Sequence, residues 1–279
     1  MTAAAATDRW AFALLTLAAG LGVILPLAWL MLALLHNGWA GLDWAFLVEP
    51  PLQSGRAGGI GPLLVSTALI LTVCLAAVIP IGLGTALYLS EFVPAGSRLA
   101  DWLGYSLDVL AGVPSIVFAL FGYQFFAISL GLGFSILAGG LTLACMSLPL
   151  MVRTSEQALR AIEPALRRAG HALALSHPGM LRRVIIPAAA PGIAAAIILS
   201  IGRALAETAV LLFTAGYVMR MPGSLLDSGR ALSVHIYDLA MNVPGGMSQA
   251  ATTALVLVTA IIIINIGVRR LLRTGAVYT

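Results

Sequence analysis

The chain has 279 residues, 60% of them hydrophobic and only 9% charged. A soluble domain carries roughly 25% charged residues, and disorder requires low hydrophobicity, so both classes are excluded. All fifteen basic residues are arginine and the net charge is only +4. Where the charges lie therefore matters more than their sum, and so thin a spread of basic residues excludes nucleic acid as a partner.

A membrane span needs about 20 apolar residues at about 1.5 Å each. Six segments qualify, approximately 10–35, 62–90, 102–130, 133–152, 188–217 and 249–271. The first is too long for a signal-peptide core and lacks a convincing cleavage site, so it is predicted to stay in the mature chain. The third is interrupted by Gly112-Val113-Pro114, and a proline there frees backbone groups that protein or water must satisfy. Gly131 and Gly133 mark the turn into the fourth. Cys74 and Cys145 fall inside apolar runs and are expected to be small buried hydrophobes, neither a disulfide nor a metal pair. The chain divides into a first helix with its outer loop, 1–61, and a core of five helices, 62–279.

Arginine placement orients the spans. With six spans both termini share a side. That side holds Arg9, Arg98, six arginines of 153–187, and Arg269, Arg270 and Arg273. The other side holds Arg56, Arg220 and Arg230. Both termini are therefore expected in the cytoplasm of a multi-pass inner-membrane protein. The outer loops are 36–61, with His36, Asp43 and Glu49, and 218–248. Within the second, Ala231 to Met241 is predicted as a short interfacial helix with Ser233, His235 and Asp238 on its polar side. Solvated connector and docking surface for an external partner are both open readings of these loops.

Residues 153–187 carry eight of the 26 charges. Pro164 suits a first helical turn, and a helix to about Leu175 would align Leu166, Ala169, Gly170 and Leu173 on one face. Ser176 is placed to cap a second helix with Pro178 in its first turn. Pro187 is expected to end that helix and lead into the fifth span. A retention loop that contacts anionic lipid needs charge but no shape. The paired helices favour a docking element for a cytoplasmic subunit.

This segment resembles the coupling loop of ABC-importer permeases, through Ala169, Leu173, Arg182-Arg183, Ile186 and Pro187. It departs from the pattern at Arg168, where the family has Glu, at Gly170, where it has Ala, and at Ala174, where it has Gly. Ala174 disfavours the left-handed turn that glycine permits. The run Ala111-Gly112-Val113-Pro114-Ser115-Ile116-Val117-Phe118-Ala119-Leu120-Phe121-Gly122 is similar to a signature of phosphate (Pst) system permeases. So is Gly202-Arg203-Ala204-Leu205-Ala206-Glu207-Thr208-Ala209. Leu211-Leu212-Phe213-Thr214-Ala215-Gly216 looks like the A-type subunit, with Val210 in place of its usual Pro.

The resemblance implies an all-α membrane protein of six transmembrane helices with type I ABC-importer permease architecture. It also implies one pore-forming half of a phosphate importer. The implied partners are a second homologous permease subunit, a cytoplasmic ATPase dimer and a periplasmic phosphate-binding protein, with membrane lipid around them. ATP and magnesium would be held by the ATPase. This chain has no lysine, so it cannot form a Gly-x-x-x-x-Gly-Lys-Ser/Thr loop and no cofactor is expected in it. Another anion, such as sulfate or molybdate, and a gradient-driven secondary transporter remain alternatives. An intramembrane enzyme is disfavoured. His36, His171, His177 and His235 all lie outside the spans, and no catalytic or metal motif occurs within them.

Arg203 sits within the fifth span, where a guanidinium costs roughly 2.5–3.5 kcal/mol on insertion scales. Glu207 is one turn on and is expected to pair with it. The pair is either a structural tie or a gate in which Glu207 competes with the anion for the planar donor fork. Asp108 is an interfacial cap, a partner for an arginine of the second subunit, or a lining residue of the inner gate. Ser115 and Thr208 either glue helices together or donate hydrogen bonds to substrate.

Overall fold

The computed structural model describes residues 3–94 and 96–277, and their side chains except 3–11, 171 and 271–277. The side chains of Arg9, His171 and Arg273 thus lie outside the described residues. Among the described residues twelve α-helices follow in order: α1 (Ala3–Gly38), α2 (Trp44–Val48), α3 (Gly61–Glu91), α4 (Arg98–Ala111), α5 (Ser115–Gly122), α6 (Ile136–Arg160), α7 (Pro164–Ala172), α8 (His177–Met180), α9 (Ile186–Ala206), α10 (Ala209–Thr214), α11 (Leu232–Met241) and α12 (Met247–Val277). A two-stranded antiparallel hairpin, Pro51–Leu52 with Ala57–Gly58, decorates the loop before α3. Side chains open several helices by accepting a backbone N–H, as the cap rule requires. Asp43 accepts from Phe46, Ser97 from Ala100, Ser135 from Ala138 and Ser176 from Gly179.

Five helices among the described residues are long and apolar enough to cross a membrane. The pair α4 and α5, extended by π-helical Tyr123–Ser129, makes a sixth candidate bent by 94°. The bend falls at Gly112-Val113-Pro114. Pro114 has no N–H to continue the helix and restricts Val113 to extended backbone.

The fifth span differs from expectation at both ends. It begins at His177, because α8 runs through a π-helical turn, Leu181–Ile185, directly into α9. Pro187 does not end a helix. It occupies the first turn of α9, just after the π-turn whose wider hydrogen-bond step absorbs the irregularity. At the far end the helix stops at Ala206 and restarts as α10.

Packing centres on α6. Two thirds (67%) of its apolar window is buried, against none of the α1 window. Small residues let α3 approach it closely: a Cβ on Gly140 would lie 2.6 Å from Val73. Val73 lies at Gly140, Met151 at Gly82 and the Leu89 carbonyl at Arg160, so α3 and α6 run in the same direction. Ser200 meets Met151 and Gly192 meets Ala158, so α9 runs opposite. The C-terminus of α1 meets the start of α12 at Gly38 and Ala251. One end of the bundle carries α7 and α8. The opposite end carries α11, the hairpin and the 215–231 loop. Both α1 and α12 direct their chain ends toward the α7 end.

Candidate functional site

Two interrupted helices define the first region. α9 stops because Glu207 takes up extended backbone, with φ −75° and ψ 130°. α4 stops where the Gly112 N–H turns back to the Asp108 and Val109 carbonyls, at 3.2 and 3.1 Å. The half-helices that follow, α5 and α10, pack on each other and on the first half of α6. Gly122 lies against Thr142, and Gly139 against Leu211 and Ala215.

Arg203 is in the last turn of α9 and partly exposed. The expected ion pair with Glu207 is not formed among the described residues, and the buried Nε of Arg203 has no hydrogen-bond partner. The reason is local: i,i+4 facing requires a continuous helix, and this one ends at Ala206. The Glu207 carbonyl instead accepts from Ser233 Oγ of α11 at 2.7 Å. Thr208 and Ser115 are half-buried at the starts of α10 and α5. The Arg203 guanidinium thus sits beside an interrupted helix with no carboxylate of the described residues in contact.

The second region is the α7 end. Here the charges separate into two sets. Arg168, Arg182, Arg183 and Glu163 are exposed, as are Leu166, Ala169, Ala172, Leu173 and Ala174. Gly170 alone of the predicted apolar face is buried, against Met180. Pro187 is half-buried at the base of α9. Ala174 takes up the left-handed turn, φ +50°, despite its Cβ, so the departure from glycine changes the strain and not the shape.

The inward set was not predicted as a unit. Arg153 grips Asp108 with two bonds, Nε to Oδ1 at 2.9 Å and Nη2 to Oδ2 at 2.6 Å, and also reaches the Gly104 carbonyl at 2.9 Å. Asp108 thus has an arginine partner within its own chain. Glu156 lies between Arg153, at 3.4 Å, and Arg160, at 2.9 Å. Arg160 reaches the Leu89 carbonyl at 2.8 Å. Arg167 turns back from α7 to both Glu91 oxygens, at 2.7 and 2.6 Å, and to the Leu159 carbonyl at 2.9 Å. The spacing of Arg153, Glu156 and Arg160 was a visible signal for part of this. Nothing local pointed to Glu91.

At the opposite end Arg230 is buried. It bonds Asp238 Oδ2 at 2.9 Å and the Tyr217 carbonyl at 3.1 Å, and lies 4.7 Å over the Tyr217 ring. Of the α11 face expected to meet water, Ser233 and His235 are buried and Asp238 is half-buried. The imidazole packs against Gly55, whose φ of +90° and missing side chain both suit the site. Burial, reinforced by the Arg230 charge and opposed by Asp238, pushes the His235 pKa down to about 4. Burial also raises the Tyr217 phenol. The 218–231 loop is rigidly held. Asp227 ties the Gly223 and Ser224 N–H groups, and the Leu225 and Asp227 carbonyls accept from Leu137 and Ile136 at the start of α6.

An interrupted span beside an arginine-bearing one, with a basic helical platform at one end, is the build of a membrane transport permease. The chain belongs to the family of binding-protein-dependent transport system inner membrane components, whose model matches residues 78–274. It is similar, at 30% identity over 278 residues and 94% of both chains, to the probable ABC transporter permease protein YqgI of Bacillus subtilis. It is 33% identical over 250 residues to phosphate transport system permease protein PstA 1 of Mycobacterium tuberculosis, covering 88% of this chain and 80% of that one. A phosphate transport system permease protein PstA of Xylella fastidiosa is 28% identical over 86% of this chain and 83% of its own. Among solved structures, an inward-facing MetNI methionine ABC transporter chain superposes with a TM-score of 0.58 at 19% identity, covering 76% of this chain and 95% of that one. The all-α importer-permease fold expected from the sequence is the fold observed.

Proposed function

We propose that this chain is the transmembrane permease subunit of an ATP-driven phosphate importer and forms half of its translocation pathway. The observation that carries the reading is the Arg203 guanidinium, with no carboxylate of the described residues in contact at a helix interruption, in a chain related to permeases named for phosphate. Arg203 offers a planar donor fork to phosphate oxygens as they pass. Glu207, held off by the end of α9, supplies a nearby negative charge that keeps the anion from staying bound. Ser115 and Thr208, at the starts of α5 and α10, line the same route.

The exposed ridge of Leu166, Ala169 and Leu173, flanked by Arg168, Arg182 and Arg183, docks a cytoplasmic ATPase dimer. The ATPase binds ATP and magnesium; this chain holds no cofactor and catalyses no reaction. A second homologous permease subunit completes the pathway, and a periplasmic phosphate-binding protein meets the loops at the α11 end. The α7 end, with both termini, faces the cytoplasm, as the arginine bias requires. ATP-driven closure of the ATPase favours one of two global states through its differential binding energy.

Phosphate uptake dependent on the binding protein, at matched protein levels, tests the reading. Arg203→Gln should lower it roughly tenfold to a hundredfold, the worth of a charge-assisted hydrogen bond. Uptake at the wild-type rate would refute the role of Arg203. Mild-detergent purification should recover the ATPase, and scrambling 164–186 should lose it. A lone chain that transports without any ATPase would refute the importer reading.

A further inference from the structure

The bonds of Arg153 tie α6 to α4 just before the bend. Asp108 is in the last turn of α4, and its backbone carbonyl accepts the Gly112 N–H that closes that helix. Its carboxylate is held by Arg153 of α6 at 2.6 and 2.9 Å. The same guanidinium takes the Gly104 carbonyl one turn earlier, and the absence of a side chain on Gly104 lets it lie flat against the α4 backbone. Arg153 thus grips α4 twice, immediately before the 94° bend. From Arg153 the bonds continue through Glu156 to Arg160, then to the Leu89 carbonyl at the end of α3. Arg167 of α7 joins the same place through Glu91 and the Leu159 carbonyl.

Two-pronged arginine–carboxylate bonds are short and directional, so they transmit displacement better than sliding apolar contacts do. The joint beyond them is weakly bonded: the Gly112 and Val113 N–H groups turn back to Asp108, Val109 and Leu110, and Pro114 has no N–H with which to bond across the bend.

We propose that Arg153 is a positioning residue for transport. Through the ladder Arg167–Glu91, Arg160–Glu156 and Arg153–Asp108 it makes α4 follow α7. A displacement of α7 then rotates α4 about Gly112–Pro114 and shifts α5, the half-helix that packs on α10 beside the Arg203 interruption. This rests on the reading of α7 as the ATPase dock.

The test uses the complete importer, with both permease subunits, ATPase and binding protein, in proteoliposomes. Its readout is phosphate moved per ATP hydrolysed. Arg153→Gln and Asp108→Asn should each lower that ratio about fivefold or more, the usual scale of coupling between sites, while ATP hydrolysis persists. Asp108→Glu, which keeps the carboxylate, should retain the ratio. If Arg153→Gln does not assemble, Asp108→Asn carries the test alone, since the Asp108 side chain is 63% exposed. An unchanged ratio in Asp108→Asn overturns the proposal. So does a loss of transport and hydrolysis in equal proportion, because the bonds then merely hold the fold. A wild-type importer that takes up no phosphate would instead refute the functional reading on which the ladder depends.

Discussion

The Arg167 guanidinium and the Glu91 carboxylate meet at 2.6 Å, with the Glu91 side chain only 3% exposed. They are 76 residues apart in the chain, and their contact seats α7 on the end of α3. A carboxylate this buried tolerates its charge only because the arginine and the Ser90 hydroxyl, at 3.3 Å, face it.

Removing one partner should therefore cost more than the pair contributes. Arg167→Ala is expected to destabilise the chain by about 3–5 kcal/mol, since it leaves a buried charge uncompensated. Replacing both residues with Leu should cost much less, because no charge is then left buried. Thermal unfolding of the two variants in the same detergent measures the difference. Equal losses would show that α7 is seated by its other contacts.

Ala174 should gain from losing its side chain. Left-handed backbone costs an L-residue roughly 1–2 kcal/mol, and glycine escapes that cost. In Ala174→Gly, amide exchange at Leu173 and Leu175 is expected to slow by about fivefold or more. Exchange as fast as in the wild type would mean that this turn opens without passing through the strained state.

His235 makes stability fall with acid. Its folded pKa of about 4 lies below the ordinary value of 6.5, so the unfolded chain takes up a proton that the folded chain refuses. The contribution is full above about pH 6.5 and is lost as pH falls toward 4, by about 3 kcal/mol in all. His235→Gln should remove that part of the slope between pH 6.5 and 4. Parallel slopes for the two proteins in pH-dependent thermal unfolding would mean that the ring titrates alike in both states.

Much of the architecture was legible because lipid imposes one-dimensional rules. A backbone in hydrocarbon must satisfy itself locally, so apolar run length alone located the spans, except that the fifth, expected at 188–217, runs from His177 to Ala206. Pro114 marked the bend, and Ser176 marked the start of α8, through chemistry that needs no distant partner. Pro187 misled, because whether a proline ends a helix or opens the next one depends on the turn before it. The Arg203–Glu207 pair misled for a related reason: i,i+4 spacing assumes a continuous helix, and the interruption at Glu207 is stabilised by Ser233, 26 residues on.

The sequence by itself determined that this is a polytopic membrane protein, where its helices run, and which segment is charged. It did so because apolar length and arginine placement are local quantities. Only the tertiary structure decided which charges face outward and which are spent inside. Arg168, Arg182 and Arg183 stay exposed, while Arg153, Arg160 and Arg167 close on Asp108, Glu156 and Glu91. All six read alike in the sequence. What separates them is whether the fold brings a carboxylate or a helix carbonyl within bonding distance, and in this chain those groups lie on α3, α4 and α6.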